Sequence, residues 1–215
     1  FLLAIFFIFP LYWIVTGSFK DRIAVNANPP VWFPTQPTLD NYQRLFDNPA
    51  LLWLGNTVLM AVAAMVLTCI TAAMAGYALA KKRFVGRKVL FTLIVCAMAL
   101  PKQVILIPLL REMSSLNLYN TIWAVIFPIV GWPFGVFLMK QFSEGIPTEM
   151  LEAARIDGAS EARTFVKIVL PMVKPGIGAL AIFTFINSWN DYFMQLIMLS
   201  STSNLTISLD RKSVV

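Results

Sequence analysis

Few side chains in this chain could make or break bonds. Its 215 residues include no histidine, and its two cysteines, Cys69 and Cys96, lie deep inside apolar runs. Thiols in such places are most simply small buried hydrophobes, and no spacing suggests a metal site or a disulfide framework. There is no G-x-x-x-x-G-K loop followed by Ser or Thr to cradle ATP, and no pair of carboxylates within apolar sequence for acid–base work. An enzyme is therefore the weakest class. Two other sets of residues remain. Asn187, Asp191 and Gln195 recur at spacing four within an apolar stretch, with Asn190 adjacent and Trp189 and Tyr192 beside them. Their chemistry is hydrogen bonding, flanked by aromatic faces. The other set is Glu152 to Pro171, a charged, Ala-rich segment between long apolar runs, whose chemistry is docking.

The elements that must position these sets follow from composition. The chain is 58% hydrophobic and 13% charged, with a mean hydropathy of +0.73. A soluble domain of this length needs far more charge to cover its surface, so the expected class is an all-α membrane protein, a polytopic helical bundle. About 20 apolar residues cross a bilayer core. Five stretches qualify as spans, at roughly 1–19, 52–80, 89–110, 121–139 and 175–199. The segment 20–51, with Pro29, Pro30, Pro34 and Pro37, is expected to be a loop or short helix outside the membrane.

Orientation follows from Lys and Arg. The 81–88 connection carries Lys81, Lys82, Arg83, Arg87 and Lys88 and no acidic residue. The positive-inside rule places it in the cytoplasm. Alternation then places 140–174 inside, and 20–51, 111–120 and 200–215 outside. This cluster dominates the net charge of +6 and reads as a membrane-side anchor, not as a nucleic-acid surface. Trp53, Tyr119 and Trp123 near outer ends, and Tyr77 near an inner one, read as an interfacial belt. Ala64, Thr68, Ala72, Gly76 and Ala80 recur every four residues and are expected to form a packing seam.

The cytoplasmic segment 147–171 has local logic of its own. Pro147 and Thr148 can start a helix, with Glu149 and Glu152 near its positive end. Gly158 permits a left-handed turn. Ser160 can cap a second helix over 161–169, which Pro171 is expected to end. Met150, Leu151, Ala154, Phe165, Ile168 and Leu170 supply apolar surface. A compact helix–turn–helix of this kind suits docking in a groove of another protein.

The pattern Glu152-Ala153-Ala154, three residues, Gly158, nine residues, Ile168, one residue, Leu170-Pro171 resembles the EAA loop of binding-protein-dependent ABC importer permeases. Further runs resemble the MalG-like branch of carbohydrate-uptake permeases: Gly76 to Ala80, Pro101 to Pro108, Trp132 to Gly135 and Ser188 to Asp191. The resemblance covers nearly the whole chain. It implies the MetI-like transmembrane fold, with 1–215 as a single transmembrane permease domain and 147–171 as its cytoplasmic coupling loop. The implied subunit is multi-pass in a bacterial inner membrane and forms half of a carbohydrate pathway, for an oligosaccharide or related sugar. The implied partners are an ABC ATPase dimer, a second MalF-like permease, an external solute-binding protein and membrane lipid. ATP and Mg would be held by the ATPase, and no cofactor by this chain. Glu152, Ala153, Ala154, Asp157 and Gly158 would serve ATPase contact and bend. Ile168, Leu170 and Pro171 would tie the loop to the fifth span. The family has six helices, so a sixth is expected beyond Val215 and a few cytoplasmic residues before Phe1. Arg211 to Val215 match nothing expected there and read as a truncation or cloning boundary.

Polar residues inside spans are costly and usually face protein or water. At 1.5 Å per residue from Pro175, Asn187 lies about 18 Å up the fifth span. Asn187, Asn190, Asp191 and Gln195 either line a solute path or hold helices together by hydrogen bonds. Lys102, beside Pro101 and Gln103, either lines the outer path or snorkels to the interface. Trp132-Pro133 breaks the fourth span. The alternative function, an ion-coupled secondary transporter, would need coupling-ion sites, and Asp191 is the only acidic residue near a span interior. A membrane scaffold would need no such coupling loop.

Overall fold

The computed structural model describes residues 2–209, with side chains from Phe6 onward. Arg211 to Val215 lie outside the described residues. The described secondary structure is helical throughout. The chain divides into two compact units, Phe1–Leu52 and Trp53–Val215, where the sequence reading has one domain.

The first unit holds α1 (Leu2–Ser18), α2 (Arg22–Val25) and α3 (Asp40–Asp47). As expected, the proline-rich segment forms short helices and loop. It folds back on the end of α1. Lys20 is buried, its Nζ donating to the Val31 carbonyl at 2.5 Å and standing 4.4 Å above the Trp13 ring. Tyr12 Oη donates to the Trp32 carbonyl, and Asn41 Nδ2 donates to the carbonyls of Ser18 and Lys20.

From the boundary between the units rises α4 (Ala50–Lys81), 32 residues long. At 1.5 Å per residue it spans about 48 Å, more than the roughly 30 Å of a bilayer core. Then follow α5 (Arg87–Met98), α6 (Lys102–Ser115), α7 (Trp123–Val130) and α8 (Pro133–Glu144). The chain continues with α9 (Thr148–Ile156), α10 (Glu161–Thr164), a π turn over Phe165–Val169, α11 (Leu170–Met172), α12 (Lys174–Asn190) and α13 (Tyr192–Met198).

The small-residue stripe of α4 is an intramolecular seam. Ala64, Thr68, Ala72 and Gly76 are buried. A Cβ on Gly76 would lie 2.6 Å from the Lys140 amide nitrogen of α8. A Cβ on Gly135 of α8 would meet Ala72 at 3.1 Å and Thr68 at 3.3 Å. Without hydrophobic drive in lipid, this backbone-level contact supplies the dispersion that holds α4 to α8. Two cores follow. One gathers Trp53, Met60, Leu106, Ile126, Met198 and Leu205. The other gathers Ala72, Tyr77, Met139, Ile146, Leu151, Val169 and Leu180 beneath the 147–171 segment.

The spans are less regular than hydropathy suggests. Among the described residues α4 and Trp123–Glu144 are long and apolar enough to cross a membrane alone, and up to four spans result if each bent pair counts as one. The third stretch is not one straight helix: α5 and α6 meet at 108°. Pro101 is extended, with ψ 132°, and has no amide to continue the ladder. The fifth stretch breaks at Asp191, so its spacing-four pattern does not form one face.

Two belt assignments are corrected. Trp53 is 3% exposed and its Nε1 donates to the Thr202 carbonyl at 2.8 Å. Tyr77 is buried against Phe165, their centroids 5.7 Å apart. Tyr119 and Trp123 are exposed. Cys96 is exposed too, and not buried as expected, because α5 buries none of its residues.

Candidate functional site

The 147–171 segment folds as a helix, a sharp turn and a second helix. Pro147, extended at ψ 132°, leads into α9 with Glu149 in the first turn. Gly158 takes φ +75°, and the Ala159 amide donates back to the Ala154 carbonyl at 2.9 Å. This is the six-to-one closure that a left-handed glycine allows at a helix end. Ser160 Oγ then caps the second helix, accepting from the Arg163 amide at 3.3 Å.

Pro171 does not end that helix, which runs over Glu161–Met172. The Leu170 amide donates to the Phe165 carbonyl, five residues back. The wider turn makes room for the proline ring, which an ordinary α turn would press against a preceding carbonyl. The break falls instead at Val173, where the chain bends by 76° into α12.

Glu152, Ala153, Asp157, Gly158 and Pro171 are exposed. Ala154 is not free to touch a partner closely: it is 7% exposed, turned inward beside buried Leu151. Ile168 and Leu170 are partly buried against the inner core, so the second helix is packed onto the bundle.

The segment shares one end of the molecule with the basic connection. Lys82 Nζ bonds the Glu161 carboxylate, and Arg155 Nη2 donates to its other oxygen at 3.1 Å. The Lys82 hydrogen bond, more than any other contact, holds the Glu161 carboxyl below its ordinary value; Arg155 adds to it. Lys81 Nζ donates to the carbonyls of Glu144 and Ile146 at 3.1 and 2.5 Å, closing the end of α8. Glu152 lines the resulting concavity with Lys81, Lys82, Arg83, Arg87 and Arg155. Sequence reasoning had the basic cluster and the loop but not this bridge. Lys82 and Glu161 stand 79 residues apart, and no periodicity links them.

The polar set of the fifth stretch is split. Asn187 and Asp191 line a cleft with Lys102, Thr68, Trp132 and Ser188. Asn190 and Gln195 lie elsewhere. Asn190 Nδ2 is spent on the Ile186 carbonyl at 2.8 Å. Gln195 is fully buried; its Nε2 donates to the Ser188 carbonyl at 3.1 Å and its Oε1 accepts from Thr206. Gln195 therefore does not line a path. It pairs a carbonyl freed where the helix breaks, while Asp191 Oδ1 accepts from the Met194 amide at 3.1 Å and starts α13. Lys102 does not snorkel away: its Nζ stands 5.0 Å over the Trp132 ring. Thr68 and Ser188, noted in the sequence only as a small-residue position and a motif letter, were missed as cleft residues. Their hydroxyl chemistry was visible there; their convergence was not.

Residues 72–212 match the family described as binding-protein-dependent transport system inner membrane component. The chain is 35% identical, over 94% of its length and 74% of the relative's, to the arabinooligosaccharides transport system permease protein AraQ of Halalkalibacterium halodurans. It is 33% identical, over 100% of its length and 77% of the relative's, to the maltodextrin transport system permease protein MdxG of Bacillus subtilis. It superposes with a TM-score of 0.86 and 26% identity on a chain of a bacterial ABC transporter involved in the import of the acidic polysaccharide alginate, covering 100% of this chain and 77% of that one. With matches of this extent, the chain belongs to the binding-protein-dependent transport system inner membrane components and is an ABC importer permease subunit, a transport component and not a catalyst.

Proposed function

We propose that the solute is a carbohydrate and that this subunit forms half of its pathway across a bacterial inner membrane. The names of the related permeases support the solute class. A second permease of the same fold completes the pathway, an external solute-binding protein delivers the sugar, and an ATPase dimer binding ATP and Mg docks below. The 147–171 segment receives one ATPase subunit. Glu152 and Asp157 present charge to it, Ala153 lets it approach, and Gly158 holds the bend. Ala154, Ile168, Leu170 and Pro171 carry the movement into α12.

One observation carries this reading: the two helices meet at a left-handed Gly158, expose Glu152, and pack through Leu151, Val169 and Ile168 on the same core as α4 and α8. A push on the exposed side reaches the spans through packed side chains, not through a loose linker. The test is a detergent pull-down of the importer from its native membrane, with wild-type chain and with Glu152→Arg. The expected outcome is an ATPase that travels with the wild type and is lost from the variant. An ATPase held equally by both removes Glu152 from the contact, and none with folded wild type removes the coupling reading.

A further inference from the structure

We propose that the basic concavity between the end of α4, the start of α5 and α9 is a binding site for the headgroup phosphate of an anionic phospholipid. The proposal does not rest on the identity of the solute, and its failure would leave the importer reading standing.

The concavity encloses about 690 Å³, within the range of small-molecule sites. Its lining carries five cations, Lys81, Lys82, Arg83, Arg87 and Arg155, against two carboxylates, Glu152 and Glu161. Glu161 is taken by Lys82 and Arg155. The other three cations belong to no ion pair among the described residues. Two of them are held by neutral groups. Lys81 Nζ donates to the Glu144 and Ile146 carbonyls, and Arg87 Nη1 to the Lys82 carbonyl at 3.1 Å. A carbonyl positions a cation without cancelling its charge. Arg83 is exposed and free of any such tie to a carboxylate.

The first turn of α5 adds to the demand for an anion. The helix starts at Arg87 and Lys88 and has no acidic residue there. A helix N-terminus carries partial positive charge, so cations placed on it are repelled. An anion in the concavity relieves that repulsion and answers the unpaired cations together.

Charge alone would suit any phosphate, but the surroundings point to a lipid. Tyr77 and Ala80, within the apolar α4, line the concavity beside the basic residues, so it lies where the span meets water. Arg83 and Arg87 also line a shallower depression with Phe84 and Val89. Phe84, Val89, Leu90 and Leu93 are exposed, and α5 buries none of its residues. Phosphate in the concavity and acyl chains along α5 cover the charge and the apolar flank at once. Inorganic phosphate would leave that flank in water. Basic pockets at the cytoplasmic ends of spans hold anionic headgroups in this way.

The test is native mass spectrometry of the complete importer, ATPase included, released from detergent. It is titrated with dioleoyl phosphatidylglycerol, dioleoyl phosphatidylcholine and inorganic phosphate. The expected result is that phosphatidylglycerol binds at least about tenfold more tightly than phosphatidylcholine. Arg83→Gln should cut that preference about fivefold, the factor one basic residue contributes near an anionic lipid surface. Arg83 is exposed and in no ion pair, so this variant keeps the fold. Adding Arg87→Gln should abolish the preference. Arg111→Gln removes an exposed cation of α6 and should retain it. Equal affinity for the two lipids, or a preference unchanged in Arg83→Gln, overturns the site. Inorganic phosphate bound as tightly as phosphatidylglycerol overturns the lipid as its occupant. A preference seen only after the ATPase is stripped away assigns the concavity to the ATPase and overturns the proposal too.

Discussion

Glu161 joins two parts of the molecule that the sequence keeps far apart. Its two carboxylate oxygens are shared between Lys82, at the end of α4, and Arg155, in α9. The carboxylate is exposed, so this bridge adds little to global stability. Its consequence is local: it sets where the Glu161–Met172 helix starts relative to the basic connection. The carboxyl is held below its ordinary value of 4.5, first by the Lys82 hydrogen bond. A group with a depressed folded value contributes fully above its unfolded value and loses that contribution as pH falls through the folded one. In detergent-solubilised protein, Glu161→Gln should speed amide hydrogen exchange over residues 159–164 and leave α4 unchanged. After correction for intrinsic pH dependence, the wild type should show the same loosening only below pH 4.5. Loosening at or above that pH, or none in the variant, would discard the bridge. The Gly158 turn and the Ser160 cap could be read from the sequence because they depend on neighbours within one helical turn. Glu161 could not, because its partner is set by how α4 and the second coupling helix pack.

Among elements, α4 meets α8 at the level of the backbone. Gly76 faces backbone atoms of Met139 and Lys140 at 2.6 Å from a would-be Cβ, and backbone cannot rotate aside. Gly135 faces the side chains of Ala72, Thr68 and Leu180 at 3.1–3.5 Å, which can yield by a few tenths of an ångström. Gly76→Ala must therefore part the helices, at about 1–3 kcal/mol, whereas Gly135→Ala should cost less. Thermal unfolding in one detergent, read as the loss of monodisperse protein, should rank wild type above Gly135→Ala and Gly76→Ala lowest. Equal midpoints for the two variants would show that the seam has slack that the geometry denies. This seam was legible, since small residues every four positions place one face of a helix against something close. The breaks were only partly so. Pro101 and Trp132-Pro133 carry proline, whose missing amide marks a break, but Asp191 has none. Hydropathy averaged over 175–199 counts apolar content and is blind to one residue at ψ 85°. Gln195 was misplaced for that reason alone: the face it shares with Asn187 exists only in an unbroken helix.

At the scale of the whole molecule, the second unit has two distinct ends, and their composition orients it. One end carries Lys81, Lys82, Arg83, Arg87 and the helices of the 147–171 segment, joined by Glu161. The other is closed by neutral amide and hydroxyl groups: Asn120 Oδ1 accepts from the amides of Ser200 and Ser201, and Asn56 Nδ2 donates to the carbonyls of Ser203 and Leu205. The positive-inside rule counts Lys and Arg in short connections, so it predicts the first end on the cytoplasmic side. The packing adds an argument the sequence lacked, because the 147–171 segment touches the basic connection and both must lie on one side. Single cysteines in a background without Cys69 and Cys96 can test this. Val85 and Ile156 are highly exposed at the basic end, and Ser200 is exposed at the other. A membrane-impermeant maleimide should label Ser200→Cys in intact spheroplasts and spare Val85→Cys and Ile156→Cys, with the reverse pattern in inverted vesicles. Opposite labelling of Val85→Cys and Ile156→Cys within one preparation would break the shared end. Labelling of both from outside would reverse the molecule in the membrane and take the coupling segment away from any cytoplasmic ATPase.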